Sequence, residues 1–233
     1  MKHFINLQDI PAKDLRKILI DAKKRKTIRK RLNNLDVDPG SPLKGNLLIQ
    51  MFEKSSLRTR LSFYLAIKQL GGSTLTLRPD ELHLAKGGES IADTAKILSN
   101  FGNAFMLRTD NEIKLNEFKK YLSIPIINGL SPSSHPTQIL SDIFTVEEVK
   151  KREISKLNIS WIGDSNNVLN SLIAASIKFS FKLKIGCPKN YQPNKNIMKY
   201  SKRNMGKIYI FNDPKKAAKE ADVIFSDKVI SMN

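Results

Sequence analysis

Apolar positions along this chain follow two patterns, short continuous runs and helical spacings. The continuous run at 47–52 predicts a buried strand. The next segment carries apolar residues at the spacing of one helix face, namely Phe63, Ala66, Ile67 and Leu70. This helix is predicted to end at Gly71 and Gly72, because glycine disfavours a helix interior. Hydrophobicity alone therefore predicts a strand–helix unit.

The same alternation continues along the rest of the sequence. Further helices are predicted at 11–31, 90–101, 112–122, 136–152, 166–179, 195–203 and 214–220. Further strands are predicted at 73–77, 104–107, 124–127, 159–162, 183–186, 207–211 and 222–225. The polar segment 78–89, which contains Gly87 and Gly88, is predicted to be a loop. Alternating strands and helices predict an α/β fold in which helices cover both faces of a parallel sheet.

The long helix at 136–152 is interpreted as the joint between two α/β domains, 1–147 and 148–233. Only residues 226–233 follow the last predicted strand. A parallel α/β domain usually returns a helix at that point to cover its sheet. We therefore expect the second domain to be incomplete, and the chain to be a fragment with little or no activity of its own.

The net charge of +18 would attract nucleic acids, anionic membranes or anionic substrates. Many basic residues fall between Lys13 and Arg31, but Leu15, Ile18 and Leu19 keep an apolar stripe there. This pattern is typical of a packed helix with a solvated basic face. Aromatic residues make up only 7% of the chain and form no base-stacking pattern, which disfavours specific nucleic-acid binding.

Several function classes are disfavoured by what the sequence contains. Cys187 is the single cysteine, so a reducing compartment fits and the thiol is interpreted as structural. The sequence has no apolar run long enough to cross a membrane and no signal-peptide pattern near its start, which predicts a cytoplasmic protein. The three histidines are scattered, so we predict no metal and no cofactor.

An anion site is predicted where the 47–52 strand gives way to its helix, at Ser56-Leu57-Arg58-Thr59-Arg60. A helix N-terminus offers unpaired N–H groups and the positive end of a dipole. Two hydroxyls and two guanidinium groups added to these N–H groups favour a phosphate ligand. The segment therefore points to a small phosphorylated ligand.

Other polar residues follow strands at the same predicted edge. They are Arg108 and Thr109 after 104–107, His135 after 124–127, and Asn166 and Asn167 after 159–162. Ligands of open α/β sheets bind beyond the carboxyl ends of the strands. The turn at Gly163 lacks the glycine spacing of a dinucleotide site, and no P-loop occurs.

These clusters, in this order, resemble the carbamoyltransferase family. The family's S-T-R-T-R motif is matched by Ser56, Arg58, Thr59 and Arg60, with Leu57 in place of the usual Thr. Arg108-Thr109 and His135-Pro136-Thr137-Gln138 are also similar to the family's motifs. The resemblance covers essentially the whole chain.

Within the family, the second half is similar to the ornithine enzymes. Residues 163–171 resemble their G-D-x-x-N-N-x-x-N-S pattern, and Asp227, Ser231 and Met232 resemble their D-x-x-x-S-M-G loop. Val229 and Asn233 depart from that loop, in which Trp and Gly are usual. A later His-Cys-Leu-Pro motif of the family is not present in the sequence, and the 83–88 loop resembles one that reaches the active site.

The resemblance implies transfer of a carbamoyl group from carbamoyl phosphate to L-ornithine, giving citrulline and phosphate in arginine metabolism. It implies that Arg58, Arg108 and His135 are catalytic. It implies that carbamoyl phosphate is bound by Ser56, Leu57, Arg58, Thr59, Arg108, His135, Pro136, Thr137 and Gln138. Asn167, Asp227, Ser231 and Met232 would bind ornithine, and the family suggests a homotrimer.

Two alternatives and one disfavoured class stay open at this point. The acceptor could be another amine, such as putrescine or an acylated ornithine. The chain could also be a non-catalytic module that binds carbamoyl phosphate or another anion. A basic nucleic-acid binder is the disfavoured third class, and a steep salt dependence of DNA binding would support it.

Overall fold

The computed structural model describes residues 2–78 and 88–227, and the chain within these ranges forms two compact units. Unit 1 comprises the described residues of Met1–Ile5 and Lys17–Pro132. Unit 2 comprises Asn6–Arg16 and the described residues of Ser133–Asn233. The predicted loop at 78–89 lies largely outside the described residues, and so do Val229, Ser231, Met232 and Asn233.

The helices and strands alternate along the chain as the hydrophobic pattern predicts. The helices are α1 (Ala12–Arg29), α2 (Leu57–Gln69), α3 (Ile91–Phe101), α4 (Glu112–Tyr121), α5 (Pro136–Lys150), α6 (Asn167–Lys178), α7 (Lys195–Arg203) and α8 (Pro214–Ala218). The strands are β1 (Leu47–Phe52), β2 (Ser73–Leu77), β3 (Ala104–Arg108), β4 (Ile126–Leu130), β5 (Asn158–Ile162), β6 (Lys182–Gly186), β7 (Ile208–Phe211) and β8 (Val223–Phe225).

Each unit is built on a four-stranded sheet, with the order β2-β1-β3-β4 in unit 1 and β7-β6-β5-β8 in unit 2. Every strand pair in both sheets is parallel. The predicted α/β fold of two parallel sheets flanked by helices is therefore confirmed.

In unit 1 the alternation of side chains divides the sheet into two apolar faces. One face, with Ile49 and Leu107, packs with Leu115 and Phe118 of α4 in the main core. The other face, with Phe52 and Met106, packs against α2. In unit 2, α8 packs against β5, β6 and β7, and α6 packs against β6.

Both limits of β4 were predicted wrongly from the apolar run at 124–127. β4 starts at Ile126, because Pro125 has no N–H to donate. It continues to Leu130 through Asn128, whose buried amide donates to the carbonyl of Ile5 at 3.1 Å. A polar side chain with buried partners can thus occupy a strand interior, which hydrophobicity alone does not predict.

The N-terminus of the chain covers the outer edge of β4 in unit 1. Phe4 pairs with Ile127 in a parallel bridge. The N–H of Phe4 donates to the carbonyl of Ile126, and the N–H of Asn128 donates to the carbonyl of Phe4, each at 2.8 Å. This short pairing was not predicted from the sequence.

Candidate active site

The predicted anion segment of unit 1 begins α2. Ser56 precedes the helix in an extended conformation and makes no side-chain hydrogen bond to the helix backbone. Its Oγ donates instead to Thr59 Oγ1 at 2.9 Å. N–H groups in the first turn of a helix have no acceptor within the helix, so this turn can present them to a ligand.

Arg108 ends β3 beside this helix turn. Its backbone is in register with Phe52, the last residue of β1. Its Nη1 donates to Thr59 Oγ1 at 3.4 Å. The structure thus brings Ser56, Thr59 and Arg108 of the predicted set into one hydrogen-bonded group.

The electrostatics of this group favour an anion. Burial lowers the pKa of Arg108, and the neighbouring positive charge of Arg58 lowers that pKa further. A guanidinium group nevertheless remains charged near neutral pH. Within residues 2–78 and 88–227, the buried Nε of Arg108 has no hydrogen-bond partner. A bound phosphate would relieve the repulsion between the two cations and supply acceptors.

Two other residues of the segment are oriented differently. The guanidinium of Arg60 lies over the ring of Phe52, 5.3 Å from the ring centroid, which holds Arg60 by a cation–π contact. The side chain of Leu57 is 73% exposed, so this position can contribute only a backbone N–H as a polar donor.

The predicted residues of unit 2 lie at the start of α5. His135 immediately precedes the helix and is largely buried, and Pro136 takes the first helical position. The N–H of His135 donates to Ser171 Oγ at 2.8 Å. Thr137 Oγ1 lies 3.4 Å from His135 Nδ1, which orients the imidazole ring.

Gln138 lies one helix turn further from the ring, at an exposed position. Its Nε2 donates to Asp142 Oδ1 at 2.8 Å. Burial raises the pKa of Asp142, and the hydrogen bond from Gln138 partly offsets this rise. The amide of Gln138 is thus held by α5 itself.

The residues expected to bind ornithine lie at the start of α6. Asn166 caps the helix, because its Oδ1 accepts from the N–H groups of Val168 and Leu169 at 3.0 Å each. Its Nδ2 donates to Asp227 Oδ2 at 2.6 Å. Asn167 is the first helical residue, and its carbonyl accepts from Ser171 Oγ at 3.2 Å. Ser231 and Met232 lie outside the described residues.

Two residues of these networks, Glu53 and Ser171, were not selected from the sequence, although the rule on strand ends could have selected them because both closely follow a strand. Asn166 was selected at the predicted edge but was given no role there. Glu53 accepts hydrogen bonds from Thr109 and Lys114 at the end of β1. Asn166 and Ser171 hold Asp227 and His135.

The described part of the chain offers little for metal, membrane or thiol chemistry. Among residues 2–78 and 88–227, no three acidic, histidine or cysteine side chains are grouped as a metal site requires. No helix in these ranges has both the length and the apolar character needed to cross a bilayer. Burial raises the pKa of Cys187, which disfavours a thiolate nucleophile there.

Comparison with known families gives two adjoining matches. Residues 2–148 match the carbamoyl-P binding domain of aspartate/ornithine carbamoyltransferases. Residues 155–233 match the Asp/Orn binding domain of the same family. Both halves of the chain thus match one family.

Individual relatives are similar over nearly the whole chain. An ornithine carbamoyltransferase of Brucella ovis is 41% identical over 100% of this chain and 72% of its own length. The solved ornithine carbamoyltransferase of Pyrococcus furiosus has a TM-score of 0.90 and 36% identity, covering 99% of this chain and 73% of that one. The catalytic subunit of M. jannaschii aspartate transcarbamoylase has a TM-score of 0.81 and 28% identity, covering 97% and 73%.

Proposed function

This chain belongs to the aspartate/ornithine carbamoyltransferase family, and from that premise we propose that its acceptor substrate is L-ornithine. The reaction would transfer the carbamoyl group of carbamoyl phosphate to the δ-amine of ornithine, giving L-citrulline and phosphate. The chain is an enzyme of the carbamoyltransferase type, and its named relatives at about 40% identity include ornithine carbamoyltransferases.

The observation that carries the carbamoyl-phosphate part of this proposal is the grouping of Ser56, Thr59 and Arg108 at the start of α2, with Arg58 close enough to lower the pKa of Arg108. Two hydroxyls, two guanidinium groups and first-turn N–H groups suit the phosphate of carbamoyl phosphate. As the C–O bond breaks, negative charge grows on the leaving phosphate. Groups positioned for that charge in advance lower the barrier without a covalent intermediate.

The proposed roles follow the direction in which charge develops. Ser56, Leu57 through its N–H, Arg58 and Thr59 would hold the phosphate. Arg108 and His135 would stabilise the carbonyl oxygen as the neutral δ-amine attacks the carbon. Gln138 would orient the carbamoyl nitrogen, which requires its amide to exchange Asp142 for the ligand. Pro136 and Thr137 complete the proposed carbamoyl-phosphate set.

The proposed acceptor rests on charge. Asp227 presents an exposed carboxylate held by Asn166, which suits a substrate with an ammonium group and disfavours a dicarboxylate such as aspartate. Asn167, Ser231 and Met232 complete the proposed ornithine set. Residues 1–147 would form the carbamoyl-phosphate domain and 148–233 the ornithine domain. A homotrimer, a cytoplasmic location and a place in arginine metabolism belong to the same proposal.

The test compares acceptors by binding and by turnover. L-Ornithine, putrescine, N-acetylornithine and L-aspartate are titrated into the chain saturated with carbamoyl phosphate. Release of carbamoylated product is followed in parallel. We expect ornithine to bind at least tenfold more tightly than the other three amines, and any turnover to favour it. Preference for another acceptor, or no binding of any of them, would overturn the proposed substrate.

A further inference from the structure

The end of β1 in unit 1 carries a carboxylate close to the cationic site. Glu53 directly follows Phe52, and its backbone N–H donates to the carbonyl of Arg108 at 2.9 Å. Because the backbones of Glu53 and Arg108 are this close, their oppositely charged side chains would ordinarily be expected to form an ion pair. The hydrogen bonds of the Glu53 carboxylate, however, go to other residues.

The carboxylate of Glu53 is held by two donors. Its Oε2 accepts from the hydroxyl of Thr109, and its Oε1 accepts from the ammonium of Lys114 on α4. The side chain of Glu53 is 12% exposed and that of Lys114 is 25% exposed. An ion pair this shielded from water is screened much less than a surface pair.

The pleat of the sheet separates this ion pair from the anion site. Phe52 and its register partner Arg108 belong to the face that packs against α2. Glu53 and Thr109 each come one residue later, so their side chains are directed to the α4 face. Lys114 lies on α4, and the neighbouring Leu115 is in the core of that face. With these two donors in place, the carboxylate lies on the α4 face and the guanidinium of Arg108 on the α2 face.

Loss of Lys114 would leave the carboxylate of Glu53 without its counter-ion. The carboxylate would keep one neutral donor, Thr109, and a largely buried anion with no counter-ion is costly. Arg108, whose carbonyl accepts from the N–H of Glu53, would then be a cation at the same sheet edge able to compensate it. A Glu53–Arg108 pair would compete with the phosphate of the ligand for the same guanidinium.

We propose that Lys114 is a positioning residue for the anion site: by neutralising Glu53 on the α4 face, it keeps Arg108 available for the phosphate of the ligand. This inference rests on the proposed function only in placing a phosphate at Ser56, Thr59 and Arg108. It does not depend on which amine accepts the carbamoyl group. Lys114 has no contact with the ligand in this proposal and acts through Glu53.

The test is a double-mutant cycle read by calorimetry with inorganic phosphate and with carbamoyl phosphate. We expect Lys114→Met to raise the Kd for both anions about tenfold, a change typical of adding one nearby opposing charge. Lys114→Arg, which keeps the charge, should stay within about threefold of the parent. The double variant Glu53→Gln/Lys114→Met should return to within about threefold of the parent, because it removes the competing carboxylate together with its partner.

A matched control separates this mechanism from a simple loss of positive charge. Lys119→Met removes a lysine from the exposed side of the same helix and should leave both Kd values unchanged. If the double variant binds as weakly as Lys114→Met alone, Lys114 acts by its own charge or through folding, and the proposal is wrong. An unchanged Kd in Lys114→Met would also overturn it.

Folding is controlled independently. If Lys114→Met does not fold, Glu53→Gln alone still tests the idea, because it should bind phosphate at least as tightly as the parent. A tenfold loss in Glu53→Gln would contradict the proposal. Failure of the parent chain to bind either anion would overturn both the proposed function and this inference. Normal phosphate binding with a different preferred amine would overturn the proposed substrate alone.

Discussion

Ser171 Oγ accepts the backbone N–H of His135 at 2.8 Å and donates to the carbonyl of Asn167 at 3.2 Å. One hydroxyl on α6 thereby fixes the backbone of the proposed catalytic histidine to the first residue of the proposed ornithine set. Because His135 and Ser171 are both largely buried, water cannot readily replace the hydrogen bond between them.

We expect Ser171→Ala to lower kcat about tenfold, because the start of α5 loses an acceptor that holds His135 in place. The free energy of unfolding should fall by about 1–3 kcal/mol, the usual cost of leaving a buried donor without its partner. Steady-state kinetics and chemical denaturation measure the two effects. Ser176→Ala is the matched control: its Oγ donates to Ile173 on the same helix, and its loss should affect stability while leaving kcat unchanged.

Asp227→Asn tests the charge of the proposed acceptor site. The substitution keeps an oxygen that can accept from Asn166 but removes the negative charge. We expect the Kd for ornithine to rise by about tenfold to a hundredfold, the range for losing a hydrogen bond to a charged group. The Kd for phosphate should not change.

Glu220→Gln removes an exposed carboxylate elsewhere in unit 2 and should bind ornithine as the parent does. An equal rise in the Kd for ornithine in both variants would mean that only the net charge of the protein affects ornithine binding. Unchanged binding in Asp227→Asn would exclude Asp227 from the acceptor site.

Leu57→Thr places the family's usual hydroxyl in the S-T-R-T-R position. Leu57 is 73% exposed, so its replacement costs little packing. A new hydroxyl donor to the phosphate should lower the Kd for phosphate about fivefold, corresponding to about 1 kcal/mol for one hydrogen bond. Calorimetry measures the change.

The control for this gain is Leu61→Thr, the same substitution one helical turn later at a position that is 49% exposed. It should leave the affinity for phosphate unchanged. A gain of equal size in Leu61→Thr, or none in Leu57→Thr, would show that the side chain at position 57 does not reach the anion.

Asp142 predicts a pH dependence of stability. Its pKa is raised by burial, so the folded state binds the proton more tightly than the unfolded state does. The carboxylate therefore destabilises the fold above its raised pKa, and this cost disappears below the unfolded pKa of about 4, where both states are protonated. We expect Asp142→Asn to raise the free energy of unfolding at pH 7.

The stability gained in Asp142→Asn should shrink as the pH falls through the raised pKa, and it should vanish near pH 4. Denaturant titrations of both proteins across this range measure the difference. A gain that is independent of pH would assign the effect to packing around the side chain, since an uncharged contact does not titrate.

The sequence predicts the elements of this fold well where apolar residues run continuously. Both limits of β1 were predicted from its apolar run, and those of α3 to within one residue from helical spacing and flanking caps. The end of β4 was predicted wrongly because the strand continues through Asn128 and Gly129, which are not apolar. The side chain of Asn128 is tolerated there because it has a buried partner, the carbonyl of Ile5, that is distant in sequence. Such partners become visible only when the chain is folded.

The same limit applies to the candidate site. Ser56, Thr59 and Arg108 were predicted as neighbours because strand ends of a parallel sheet meet at one edge. Glu53 lies at the same edge, but a carboxylate does not suit a phosphate site, so its role emerges only from its contact with Lys114. The hydrogen bonds from Gln138 to Asp142 and from Asn166 to Asp227 likewise depend on side-chain rotamers. The spacing of residues along the chain does not determine these rotamers.

The pairing of Phe4 with β4 has a practical consequence for handling the protein. Phe4 and its neighbours occupy two backbone hydrogen-bonding groups of β4 at the edge of the unit 1 sheet. Removal of these residues by an aminopeptidase, or their displacement by a poorly chosen N-terminal affinity tag, would leave that edge bare. Bare sheet edges recruit strands from other molecules, so preparations trimmed there should lose solubility before they lose their fold.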